Sequence, residues 1–459
     1  MSRSKLRIAS GQGFWGDDLE APVRQVRGGP IDYLMLDYLA EVTMSIMQKQ
    51  RARDPVAGYA RDFVPLMSRI FEACVDRDIK VISNAGGVNP TGCAEALVQA
   101  GRDAGVSGQA SIGVVTGDDL MGRLDELLDS GHGLESMETG EPLSTVRDRV
   151  QSANVYIGAR PIVEALSKGA QVVVTGRSTD TALTYAPMIH EFGWDWEAHD
   201  LLASGVVAGH LNECGAQCSG GNCSAEWWNI PDMAGVGFPI VEALPDGTFD
   251  VTKHEGSGGR VSLATVKEQI LYEMGDPTTY ITPDVTADFT SIRLEEIGTD
   301  RVRVHGIEGG PRTPFLKVSI AYSGGFKAVG TLVYSWPDAA AKAEEAGRIL
   351  KERLDRLGLR FDDVRVELVG WNATHGHLAG PPPADLPEVQ LRIGVRGPDR
   401  AAVDRFTREI APLVLTGPPS VTGFAGGRPR VQEMMAYWPA LIDRTVVEPS
   451  LKVDVVPIT

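Results

Sequence analysis

The chain has 459 residues, 43% apolar and 23% charged, enough for two or three domains with real cores. It carries 44 basic and 61 acidic residues, a formal charge of −17 that repels phosphate backbones and argues against nucleic acid as a partner. No apolar run reaches the roughly 18 residues of a membrane span, and no cleavable apolar segment follows MSRSKLRIAS, so no membrane partner and a cytoplasmic location are expected.

The first two-thirds alternates short apolar stretches with helical patterns. Strands are predicted over 6–9, 33–36, 79–83, 110–115 and 171–174, each followed by glycine or polar residues. Between them, segments such as GYARDFVPLMSRIFEACVDRD place Phe63, Leu66, Met67, Ile70, Phe71 and Cys74 at helical spacing. This alternation predicts an α/β fold, a mainly parallel sheet with helices on both faces, over residues 1–285. After 285 the texture changes. TSIRLEEIG, DRVRVHGIEG, FLKVSIAYSGG and KAVGTLVYSWP read as successive strands, with helices over 338–357 and 400–410. Residues 286–459 are therefore expected to form a smaller α+β domain with antiparallel strands and two helices.

IASGQGFWGDD sets Gly11, Gly13 and Gly16 in G-x-G-x-x-G spacing after the first strand, and Asp37 lies 21 positions beyond Gly16. Several features speak against a dinucleotide turn. Phe14 and Trp15 fill the turn, Asp17 and Asp18 stand where a pyrophosphate would meet helix N–H groups, and Pro22 interrupts the helix that should follow. The segment reads as a glycine-rich loop at the carboxyl end of a strand, where open α/β sheets place ligands.

The other strand ends extend that edge. NAGGVNPTG brings Asn84, Gly86 and Gly87, with Asn89 as an N-cap and Pro90 as the first helical residue. TGDD brings Thr116, Asp118 and Asp119. TGRSTDTA brings Arg177, Ser178 and Asp180, and LNECGAQCSGGN follows His210 with Glu213 and Gln217. Each segment alone also reads as capping and turn chemistry. Arg177, before a helix capped by Ser178 or Thr179, is expected to grip a carboxylate, or else to form an ion pair with Asp180. Arg160 has a weaker form of the same position. Asp37, Glu41, His210 and Glu213 are the catalytic acid–base candidates; Asp37 and Glu41 share a face if a helix begins near Tyr38. Gly11, Gly13, Asn84, Gly86, Gly87, Arg177, Ser178 and Gln217 are the substrate-binding candidates. Asp17 and Asp18 are candidates for a divalent metal.

Cys214, Cys218 and Cys223 have C-x₃-C-x₄-C spacing, which is not the usual zinc or iron–sulfur pattern. Five cysteines in all make no disulfide framework. His375 and His377 could face one way on a strand, and 256–260 could form an anion-binding nest. The nucleophile elbow, the phosphate-binding G-x-x-x-x-G-K-[ST] loop and H-E-x-x-H are absent from the sequence.

GQGFWGDDLEAP, VISNAGGVNPTGCAEAL, ANVYIGARPIVEALSKGAQVVVTGRSTDTAL, VAGHLNECGAQCSGGN and TGFAGGRPRVQEMMAYWP resemble the acyclic terpene utilisation (AtuA-like) family over nearly the whole chain. The resemblance implies bacterial catabolism of terpenoid acids and a small ferredoxin-like partner protein. It supplies no catalytic residue. The residues themselves point to a hydro-lyase or related lyase acting on a small carboxylate or acyl-CoA, in a homo-oligomer. Two alternatives stand beside it: a subunit completed by a small partner, and a nucleotide-cofactor oxidoreductase.

Overall fold

The computed structural model describes residues 3–423 and 427–459, so Phe424, Ala425 and Gly426 of the TGFAGG stretch lie outside the described residues. The chain divides into two units, one of residues up to Ala321 with Tyr437–Thr459, the other of Tyr322–Ala436.

In the first unit the strands are β1 (Leu6–Gln12), β2 (Tyr33–Leu36), β3 (Lys80–Ser83), β4 (Ser111–Thr116) and β5 (Val172–Val174), then β6 (Ile240–Ala243), β7 (Phe249–Thr252), β8 (Arg293–Gly298), β9 (Arg301–His305) and β10 (Lys452–Pro457). They form one ten-stranded sheet in the order β8-β9-β7-β6-β1-β2-β3-β5-β4-β10. The five strands β1, β2, β3, β5 and β4 are parallel neighbours. Every other neighbouring pair is antiparallel. The sheet is therefore mixed rather than mainly parallel. Connection length accounts for two of these pairs: helical crossovers return the chain parallel, whereas β6–β7 and β8–β9 are joined by turns too short for a crossover. It also moves the boundary expected at residue 285, since β8, β9 and β10 hydrogen-bond within this sheet.

Alternation along the strands builds two cores. Leu6, Ile8, Tyr33, Met35, Ile82 and Val173 face α5 (Arg160–Ser167), α6 (Ala182–Phe192) and α7 (His199–Asn212). Ala9, Leu34, Leu36, Val81, Val172 and Val174 face α1 (Ala21–Gly28), α2 (Glu41–Arg53), α3 (Phe63–Asp76) and α4 (Pro90–Asp103). The apolar stripe predicted from Phe63 to Cys74 is buried throughout. Asn89 caps α4 by accepting from Gly92 N–H at 3.1 Å, with Pro90 as first residue. Pro22 does not interrupt a helix; it sits in the first turn of α1, where its missing N–H costs nothing.

In the second unit, Asp363–Val369 pairs antiparallel with Glu388–Gly397, which pairs antiparallel with 326–335. The segments read as two strands, FLKVSIAYSGG and KAVGTLVYSWP, are one strand, Phe315–Ser335. Leu391 and Ile393 pack with Ala343, Ala346 and Leu350 of helix Ala339–Arg356 and with Phe406 of helix Arg400–Thr407. His375 and His377 lie on and beside a one-turn 3₁₀ segment, not on a strand. No helix among the described residues is long and apolar enough to cross a membrane.

Glu242 of β6 is 1% exposed and ringed by Lys5, Arg7 and Arg301. Burial alone would raise its carboxyl, but hydrogen bonds from Arg301 and Lys5 and the charge of Arg7 bring it down to about 2. A carboxyl depressed in the folded state stabilises above its unfolded pKa and loses that contribution as pH falls through the folded value. Glu242→Gln is expected to cost about 3 kcal/mol in urea unfolding at neutral pH. The gap to wild type should narrow below pH about 4.5 and close near pH 2.

Candidate functional site

The parallel strands end together, and their trailing residues wall a cavity of about 740 Å³. β1 delivers Gly13, β2 delivers Asp37 and Tyr38, and the loop after β5 delivers Arg177 and Asp180. The end of α7 adds Glu213 and Cys214, the turn beyond it Gln217, the start of α2 Glu41, and the end of α8 (Leu263–Leu271) Tyr272 and Glu273. Seven sequence candidates thus share one cavity: Gly13, Asp17, Asp37, Glu41, Arg177, Glu213 and Gln217.

Arg177 is 1% exposed, the largest side chain so deeply buried. Its Nη1 donates to Asp180 at 2.5 Å and to the Ser178 carbonyl at 3.0 Å, and its guanidinium lies 4.2 Å from the Tyr156 ring centre. The loop is held from behind by Asp118, which accepts from Arg177 N–H at 2.8 Å and Asn154 Nδ2 at 3.0 Å. The expectation of a cap at Ser178 or Thr179 is not met. Thr181 precedes α6 and makes no side-chain cap, so Arg177 is set by its ion pair and its aromatic partner, not by helix N–H groups.

Asp37 lies before α2, which begins at Glu41, so the two acids do not share a helix face as expected. Asn84 Nδ2 donates to Asp37 Oδ1 at 2.7 Å, while Asn84 Oδ1 accepts from Tyr38 N–H at 2.7 Å. Asn84 therefore positions Asp37 rather than lining the cavity. Burial and the charge of Asp180 push the Asp37 carboxyl well above the usual range, against Arg177 and Asn84. Glu41 behaves oppositely. Burial would raise it, but the Tyr156 hydroxyl, donating at 2.5 Å, and the charge of Arg177 hold it down.

Glu213 ends α7 three residues after His210, on the same face. His210 Nε2 donates to the Gln269 carbonyl at 2.8 Å, since a carbonyl only accepts. That leaves Nδ1 facing Glu213 Oε1 at 3.1 Å, a close approach outside good hydrogen-bond alignment. Burial pushes the Glu213 carboxyl up to about 7 despite His210. Burial would lower the imidazole, but Glu213 and the Gln269 carbonyl raise it. His210 itself stands behind the wall, edge-on to Phe289 and Tyr280.

The remaining candidates have other partners. A Cβ on Gly11 would meet Leu36 Cδ2 at 2.8 Å, and on Gly86 the Thr175 carbonyl at 2.5 Å, so these glycines serve close packing. Gly87 takes φ +54° against Met47 and Gly58. Of these glycines Gly13 lines the cavity, and a Cβ there would meet Gly215 N of the Cys214–Gly215 turn at 2.6 Å. Asp17 accepts from the N–H groups of Gly13 and Asp18, and Asp18 pairs with Arg24 on the surface. No three His, Cys, Asp or Glu residues come together as metal ligands among the described residues. In 256–260, the N–H groups of Gly258, Gly259 and Arg260 are spent on backbone carbonyls, so no nest forms. Arg160 starts α5 and stacks on Trp196 at 4.0 Å. Tyr38, Tyr156, Tyr272 and Glu273 escaped the sequence reading. Only Tyr38, beside Asp37, carried a positional signal.

A family model described as acyclic terpene utilisation family protein AtuA matches residues 6–453. The chain belongs to this family. The match spans the sheet as far as the second residue of β10 and every residue of the cavity. No curated protein and no solved structure gives a match.

Burial pushes Asp118 up to about 7, against its two hydrogen bonds. A raised carboxyl binds more protons folded than unfolded between about 4 and 7, so it lowers stability as pH rises through that window. Asp118→Asn should remove this slope. Thermal unfolding of wild type is expected to weaken relative to the variant from pH 4 to pH 7 and to run parallel above it.

Proposed function

We propose that the protein is a catabolic lyase of the hydro-lyase type, adding or eliminating water beside the carbonyl of a small carboxylic acid or acyl thioester. The observation that carries this reading is the pairing of two buried carboxyls, Asp37 and Glu213, on one cavity, each held above the usual carboxylate range. Groups poised near the working pH are what general acid–base catalysis requires.

In the elimination direction, the Glu213 carboxylate takes the proton from the carbon next to the carbonyl, and His210 stabilises the protonated form behind it. The electron pair of that C–H bond becomes the new C=C bond. The C–O bond to the hydroxyl breaks, and Asp37 gives its proton to the departing oxygen, which leaves as water. Arg177 stabilises the charge that develops on the carbonyl oxygen. Asn84 holds the Asp37 carboxyl in place.

Incubation in heavy water with a panel of hydroxyacyl thioesters and hydroxy acids tests this. Wild type is expected to exchange the proton next to the carbonyl and to release water. Asp37→Asn should lose water release, and Glu213→Gln both water release and exchange, by about 10²- to 10⁴-fold. Wild-type rates in both variants would reject the reading.

A further inference from the structure

The cavity is short of positive charge. Its lining carries six carboxyls, on Asp17, Asp37, Glu41, Asp180, Glu213 and Glu273, and one cation, Arg177. That guanidinium is already ion-paired with Asp180 at 2.5 Å. Lys317 Nζ lies 4.9 Å from the Tyr156 ring centre and its charge reaches Glu41, but Lys317 does not line the cavity. The carboxyls act on one another. Burial and then Asp180 raise Asp37, and burial with Asp180 and Glu273 raises Glu213. The field of the whole chain, with its formal charge of −17, has the same sign.

Main-chain donors in the wall are engaged as well. Tyr38 N–H donates to Asn84 Oδ1 at 2.7 Å, Leu39 N–H to Asp37 Oδ1 at 3.2 Å and Ala40 N–H to Thr43 Oγ1 at 2.8 Å. Gly13 N–H donates to Asp17 Oδ2 at 2.9 Å. These four lining residues therefore offer no N–H nest to an anion. The chemistry points the same way. Loss of the proton next to a carboxylate creates a dianion, whereas next to a thioester, ester or amide carbonyl it creates a monoanion. One guanidinium, shared with Asp180, balances the second case far better than the first.

We infer that the cavity selects its ligand by charge: it takes the acyl group of an uncharged derivative, such as a thioester or an ester, and turns away the free carboxylate. The inference rests on the lyase reading of the same cavity for its acyl chemistry. It replaces the carboxylate grip that the sequence leads one to expect of Arg177. Any phosphate on the carrier of a thioester has to stay outside the lining.

The test is binding, not turnover. Titration calorimetry of the full chain near neutral pH compares butyrate, 3-hydroxybutyrate and hexanoate, each with its amide and its methyl ester. In at least one set, both neutral forms should bind about tenfold or more tighter than the anion, since like charges brought together in a site are strongly disfavoured. The preference should shrink as salt rises from about 10 mM to about 1 M. Glu273→Gln should narrow it a few-fold, and Glu273→Lys should narrow it further. Circular dichroism shows whether each variant is folded, and the wild-type salt series decides alone if one is not. An anion that binds as tightly as its neutral forms, or no binding by any neutral form, overturns the inference. So does a preference for the amide alone, which is one of hydrogen bonding, or a preference that neither salt nor Glu273→Lys moves. Neutral probes that bind as expected, in a protein that neither exchanges the proton nor releases water in the heavy-water incubation, remove the lyase reading and leave this one standing. A free hydroxy acid that loses water and binds as tightly as its ester does the reverse.

Discussion

A guanidinium cannot be sealed inside a protein without a counter-charge, and the cavity is organised around that constraint at Arg177. Asp180 supplies the opposite charge and Tyr156 the face on which the cation rests. The Tyr156 hydroxyl is in turn committed to Glu41, so the same aromatic ring ties the start of α2 to the loop after β5. Gly176 belongs to this arrangement as well, since a Cβ there would stand 2.3 Å from Asp118. Loss of the ion pair would strip the guanidinium of its hydrogen-bonded counter-charge.

The carboxyls of the cavity are kept in different states by ordinary means. Glu41 receives a hydroxyl hydrogen bond and neighbouring positive charge, and is held ionised. Asp37 is buried beside the Asp180 carboxylate, and its carboxyl is pushed well above its normal range. Glu213 is raised by burial and faces an imidazole whose tautomer is fixed by a main-chain carbonyl on α8. Gln269 returns the contact by donating to the His210 carbonyl at 2.9 Å, so the register of α8 against α7 sets the tautomer.

The parallel half of the sheet was legible because each of its strands is short, apolar and punctuated by glycine or polar residues, with helical periodicity between them. The edge where Gly13, Asp37 and Arg177 meet follows from that alternation. His210 and Glu213 were each singled out as acid–base candidates, but the spacing argument was applied to Asp37 and Glu41, and the pair that does meet is His210 with Glu213. The antiparallel half was misread because a hairpin pattern says only that strands are neighbours, and β8 and β9 fit an appended domain as well as an extension of the same sheet. The roles of Asn84 and Ser178 were misread because a polar residue after a strand serves equally to face a ligand or to hold the residue that does. Tyr272 and Glu273 reach the cavity from the far end of α8, a placement that no local pattern encodes.

Strand β4 has two neighbours, β5 and β10, and the second is drawn from residues 452–457. A ribosome therefore exposes one flank of β4 for the time it takes to make the whole of the second unit and more. Bare strand flanks recruit other chains, and folding intermediates that carry them aggregate. The first unit thus acquires its edge strand β10 only after translation has passed residue 457, which makes its completion a late event in biosynthesis and places a premium on chaperone shielding until then.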